Sequence, residues 1–153
     1  MKSLCSPLKV YQYLQKNGYP VPNNALCTKN FAWAELLVRQ TELPTLLVLK
    51  NLHKTAQILQ KYRDSFFDNS PVIVTSAWRS SAYNKKIGGA LKSYHIYGMA
   101  LDFVVTGFSP RQVQTLLDPV HHGGLEFAPS WTHIDIRGES IRFDNQGKVI
   151  KRG

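Results

Sequence analysis

The chain has 153 residues, 43% of them hydrophobic and 19% charged, with 19 Lys and Arg against 10 Asp and Glu for a formal charge of +9. These totals suit one domain with a substantial core and exclude a disordered or membrane-embedded chain. The positive balance favours a polyanionic partner through long-range attraction, whether nucleic acid, an anionic membrane or the phosphate-bearing polymers of a bacterial envelope.

The first residues, MKSLCSPLKVYQYLQ, hold no apolar run of signal-peptide length, because Ser3, Ser6, Pro7 and Lys9 interrupt it. No stretch approaches the ~18 apolar residues of a membrane span. The expectation is a protein made in the cytoplasm that something else lets out if it acts outside. Cys5 and Cys27 are too few for a disulfide framework, and two free thiols are preferred over one bridge tying down the N-terminal segment. Ser6-Pro7 opens a short helix with Val10, Tyr11 and Leu14 on one face, and Gly18, Pro20 and Pro22 end it and lead into an extended linker.

Residues 28–40 suggest a second short helix opened by Thr28 or Asn30. After Pro44, Leu46, Leu49, Leu52, Ala56, Leu59, Tyr62 and Phe66 recur at threes and fours, the pattern of a long amphipathic helix. Pro71 to Thr75 is β-branched and apolar and reads as a buried strand. Ser81 to Ile87 allows one or two helical turns before Gly88-Gly89. MALDFVV, from Met99, alternates as a strand with Ala100, Asp102 and Val104 on one face. Ser109-Pro110-Arg111-Gln112 is a capping-box start to a short helix that stops at Pro119. GLEFAP, SWTHIDIRG and SIRFDNQGKVIKR read as strands joined by tight turns.

The stretch from Ser76 to Asp102 carries the chemistry. His95 and Asp102 are seven residues apart, which would put them on opposite faces of an unbroken strand, but Gly98 lets the chain turn between them. A third ligand fits the WTHIDIR strand, where Trp131, His133, Asp135 and Arg137 share the face opposite Thr132, Ile134 and Ile136. Two imidazoles and a carboxylate are an ordinary set for catalytic zinc, with one position left for water. Asp135 and Glu126 are the acidic candidates for a general base, and Arg79 suits a developing oxyanion or a substrate carboxylate. The competing reading is a hydrogen-bonded His before a Gly turn and an ordinary strand Asp. The zincin HExxH signature is absent. His121 and His122 are read as loop residues, since nothing spaces them as ligands.

With those residues in place, the chain resembles the zinc D-alanyl-D-alanine carboxypeptidase and L-alanyl-D-glutamate endopeptidase family of peptidoglycan-cleaving enzymes, closest to its small phage and bacterial members labelled peptidase M-fifteen subfamily A. Ser76-Ala77-Trp78-Arg79-Ser80, Asn84, Gly88-Gly89, the run S-x-H-x-x-G-x-A-x-D from Ser93 to Asp102, and Thr132-His133-Ile134-Asp135 carry the likeness, which spans roughly residues 28–140. It implies zinc held by His95, Asp102 and His133, with Arg79 near the scissile group and Ser93 fixing the loop or a ligand from behind. No Glu-x-x-His precedes the last ligand, because Ser130 occupies that position. Asp135 is then the first choice of base, with orientation of an imidazole as its other role, and Glu126 is the second.

The expected fold is α+β, with N-terminal helices packed on a small, mainly antiparallel sheet that carries a zinc cleft, as in hedgehog and D-Ala-D-Ala-peptidase domains. Residues 1–27 would form a helix and linker of the same unit, and residues 28–153 the zinc peptidase domain. The expected function is hydrolysis of an amide bond in the peptide part of bacterial peptidoglycan by a monomer released through a holin, carried in a virion or remodelling a wall. The alternatives are a non-catalytic zinc-binding domain on the same scaffold and a nucleic-acid-binding module, the latter disfavoured because Lys and Arg are scattered rather than gathered on one surface element.

Overall fold

The computed structural model describes residues 1–38 and 40–152. Its helices and sheets give the α+β architecture that the sequence leads one to expect. Ser6 caps helix α1 (Pro7–Asn17) by accepting from the Lys9 N–H, and Val10 and Leu14 are its buried residues. Thr45 caps helix α3 (Leu46–Phe66), whose buried stripe is Leu49, Leu52, Thr55, Ala56, Leu59 and Tyr62. That is the periodic apolar face read from the sequence, with a wet face on the other side. Among the described residues no helix is long and apolar enough to cross a membrane.

Two parts of the N-terminal region differ from expectation. The segment read as an extended linker contributes to a three-stranded sheet of β1 (Ser3–Leu4), β2 (Ala25–Thr28) and β3 (Phe31–Ala32), in which β1 runs parallel to β2 and β3 antiparallel to it. The helix expected over residues 28–40 is a single turn, α2 (Trp33–Leu36), because the chain before it is used in β3. Arg39, at the end of that expected helix, lies outside the described residues. Phe31, Trp33 and Leu36 plug the core at this end, and the Trp33 indole N–H donates to the Cys5 carbonyl at 2.7 Å.

The main sheet has the order β4-β5-β7-β6-β8-β9, formed by β4 (Val72–Ser76), β5 (Ala100–Val105), β6 (Gly124–Phe127), β7 (Thr132–Asp135), β8 (Ile141–Asp144) and β9 (Val149–Arg152). Every neighbouring pair is antiparallel except β6 and β8. The β4 run, expected to be buried, is an edge strand with Ile73 55% exposed; an apolar run does not tell which side of a sheet is covered. Leu101, Phe103, Leu125 and Ile134 point into the core. Helix α5 (Pro110–Leu117), with the Ser109/Gln112 capping box, packs on that side through Val113 and Leu117. Alternation along β5 and β7 then sends Asp102, His133 and Asp135 to the opposite face.

Candidate metal centre

The ladder sets the first distance in the site. Asp102 and His133 are directly paired residues of antiparallel β5 and β7, so their side chains leave the same face as nearest cross-strand neighbours. His95 arrives from a 3₁₀ turn, Tyr94–Tyr97, between the short helix α4 (Ser81–Lys86) and β5. Ser93 caps that turn by accepting from the His95 N–H at 3.2 Å. Gly98 ends it with φ +74°, a left-handed conformation that favours glycine. A Cβ at Gly98 would also lie 2.5 Å from the Val48 carbonyl of α3. Helix α3 grips the turn further: Asn51 donates to the Tyr97 carbonyl at 2.9 Å and Thr55 to the Gly98 carbonyl at 3.1 Å.

One ligand atom from each of His95, Asp102 and His133 lies within 4.8 Å of the others, and all three residues are buried. The rings are oriented from behind. His95 Nδ1–H donates to the Ala77 carbonyl at 2.7 Å, which leaves Nε2 facing Asp102 Oδ1 at 3.2 Å. His133 Nε2–H donates to Asp135 Oδ2 at 2.8 Å, and its Nδ1 faces the same Asp102 oxygen at 2.8 Å. Burial opposes ionisation of Asp102, but hydrogen bonds from His133 and His95 outweigh it and hold the carboxyl well below the usual range. Burial likewise disfavours charge on His133, yet Asp102 and Asp135 raise its pKa to about 9. Two nitrogens converging on an anionic carboxylate, each ring fixed by a partner on its far nitrogen, are a donor set that fits a divalent cation.

The remaining candidates occupy different positions. Arg79 reaches the cluster, donating from Nε to Ser76 Oγ at 3.0 Å and from Nη1 to Asn84 Oδ1 at 3.3 Å, with Nη2 3.5 Å from Asp102 Oδ2. Asn84 in turn donates to the Ala90 carbonyl at 2.8 Å, tying the Gly88-Gly89 loop to the arginine. Glu126 is the cross-strand partner of His133 on β6, partly exposed, with its pKa raised first by burial and also by nearby Asp102. The buried Trp131 indole N–H, which has no partner within hydrogen-bond distance among the described residues, still lies close enough to Glu126 to moderate that rise.

Asp135, on the same strand face as His133, is enclosed by donors. It is fully buried, and both oxygens are engaged: Oδ1 accepts from the Gly124 N–H at 2.9 Å and Arg137 Nε at 2.7 Å, Oδ2 from Arg137 Nη2 at 2.6 Å and His133 Nε2. Burial alone would raise its pKa, but Arg137 and His133 hold it well below the usual range. Gly124 is required for this fit, because a Cβ there would collide with the carboxylate.

Sequence reasoning missed two contributors. His121, read as a loop residue, is buried: its Nδ1 accepts from Tyr62 O–H at 2.7 Å and its Nε2–H donates to the Asp135 carbonyl at 3.0 Å. Burial lowers its pKa to about 4, so the ring is neutral. Arg137 had only a shared strand face to recommend it. A groove of about 610 Å³ beside Arg111, Gln114, Asp118 and Phe127 lies along α5 and includes none of the clustered residues.

No curated protein matches the chain. The family model described as Peptidase M15 matches residues 29–135, the greater part of the chain. The chain belongs to the peptidase M15 family and is a metallopeptidase of the peptidoglycan-peptidase kind.

Proposed function

We propose that this M15-family metallopeptidase is a zinc enzyme that hydrolyses an amide bond in the peptide part of bacterial peptidoglycan. The reading is carried by one observation, the convergence of His95, Asp102 and His133 on a common point beside Arg79 and Glu126. His95 through Nε2, Asp102 through its carboxylate and His133 through Nδ1 would hold the ion. When bound, zinc supplies Lewis acidity that polarises the scissile carbonyl and eases ionisation of water near neutral pH.

The chain's own groups do the rest. Glu126, with a pKa raised by burial, is the group we assign to take the proton of the attacking water and deliver one to the leaving amine. Its open side and its place across from His133 favour it over Asp135, which we assign to orienting His133. Arg79, braced by Ser76 and Asn84, meets the developing oxyanion or a substrate carboxylate. Ser93 keeps the His95 turn in shape. In this reading residues 28–153 are the peptidase domain and residues 1–27 belong to the same unit, acting as a monomer. The charge of +9 draws the enzyme to an anionic wall, reached through a holin, in a virion or during wall remodelling.

The test is digestion of purified sacculi beside a His133→Ala control, with released fragments identified by mass spectrometry. Wild type alone should release peptide fragments, whose masses identify the bond as a terminal D-Ala, an L-Ala-D-Glu link or a cross-link. Identical fragments from the two proteins would overturn the catalytic reading, and zinc binding without turnover would favour a non-catalytic zinc domain.

A further inference from the structure

We infer that Arg137 is a positioning residue for the metal centre, acting on His133 through Asp135; the inference rests on the assignment of His133 as a ligand. Arg137 follows β7 and spends two side-chain donors on one buried carboxylate, Nε on Asp135 Oδ1 at 2.7 Å and Nη2 on Oδ2 at 2.6 Å, beside its backbone N–H on Oδ1 at 3.3 Å. Oδ2 is also the atom that accepts from His133 Nε2. The guanidinium carbon lies 4.5 Å from the centroid of the Tyr94 ring and 5.2 Å from that of Phe143. Tyr94 immediately precedes His95, and Phe143 meets the His133 ring edge-on at 5.7 Å. One side chain thus touches the immediate surroundings of two of the three assigned ligands.

The chemistry follows from the planar fork. A carboxylate held by one donor can rotate about its Cβ–Cγ bond and present either oxygen at a range of angles. Two N–H donors of the fork fix its plane, and the Gly124 N–H adds a further bond to Oδ1. Oδ2 is then held in line with His133 Nε2–H, which turns Nδ1 toward Asp102, where on losing its proton it would offer its lone pair to a metal. The two aromatic faces keep the guanidinium from swinging out toward water. Lysine carries the charge but has no fork, so it cannot reproduce the alignment.

The experiment measures zinc affinity of the full chain by competition with a chromogenic chelator. It compares wild type, Arg137→Gln, Asp135→Asn, the double variant and His133→Ala, with folding followed by circular dichroism. Arg137→Gln and Asp135→Asn should each weaken zinc binding about 10- to 100-fold. The double variant should be no more than about threefold weaker than Asp135→Asn, because both changes break one chain of contacts. The d–d spectrum of the cobalt-loaded protein should shift in Arg137→Gln. If Arg137→Gln does not fold, Arg137→Lys carries the test and should still bind zinc about tenfold more weakly. Wild-type affinity in the Arg137 variant, or losses that multiply in the double variant, would overturn the inference. An altered KM with unchanged zinc affinity would do the same and assign Arg137 to substrate. If His133→Ala also bound like wild type, the ligand assignment itself would fail, which separates the two failures.

Discussion

Glu126 stands directly across the β6–β7 pair from His133, so a carboxyl of raised pKa faces the same cleft as an assigned ligand from a strand whose position the sheet fixes. Glu126→Gln keeps the size and removes the proton acceptor. It should lower kcat about 10²- to 10⁴-fold with zinc affinity within about twofold of wild type. Asp135→Asn should show the opposite balance, with weakened zinc binding preceding any effect on turnover at saturating zinc. Steady-state kinetics beside chelator competition checks both, and a Glu126→Gln enzyme of normal kcat would remove it from the role of base.

Stripping the metal should abolish hydrolysis without unfolding the chain, since the core of Leu101, Phe103, Leu125 and Ile134 lies on the other face of the sheet. Zinc at about 100 times its dissociation constant should then add about 3 kcal/mol of stability by mass action. Thermal unfolding of chelator-treated protein with and without zinc measures this. His95→Ala, Asp102→Ala and His133→Ala should each lose most of that increment.

His121 gives a pH dependence with a definite sign. Its folded pKa, about 4, lies below the ordinary 6.5, so the unfolded chain binds the extra proton between those values. The contribution is fully present above pH 6.5 and is lost as pH falls toward 4. Between pH 7 and pH 5 it amounts to about 2 kcal/mol. Urea unfolding at the two pH values should show this loss in wild type and a smaller one in His121→Gln.

Gly98→Ala should cost more than an ordinary surface change. The left-handed backbone alone disfavours a Cβ by about 1–2 kcal/mol, and the Val48 carbonyl 2.5 Å away adds a collision. Because the turn carries His95, zinc affinity should fall together with the thermal midpoint. Gly107→Ala shares the positive φ but meets nothing within 4 Å, so it should lose stability alone.

Local signals located most of the elements. Pro44 before Leu46, the Ser109/Gln112 box and the glycine at 98 each act within one turn of chain, and the two helices begin, and the His95 turn ends, where they indicate. What escaped depends on partners distant in sequence. Ser3–Leu4 has no strand signal of its own and is extended because β2 offers it a ladder. The engagement of Asp135 requires Gly124 from another strand as well as Arg137 two residues on. His121 is buried because Tyr62, fifty-nine residues earlier, meets its ring. The S-x-H-x-x-G-x-A-x-D frame could be read because it encodes a turn followed by a strand, whereas the choice between Glu126 and Asp135 rests on which carboxylate other groups already occupy.

The pairing of Asp102 with His133 also bears on how the centre tolerates change. The separation of their Cα atoms belongs to the backbone ladder of β5 and β7. His95, by contrast, rides on a turn held by contacts with α3 and by the Ala77 carbonyl. Insertions in the Gly88–Ser93 loop would therefore reshape the cleft rim while Asp102 and His133 keep their backbone spacing, and a loosened turn would be felt first at the imidazole of His95.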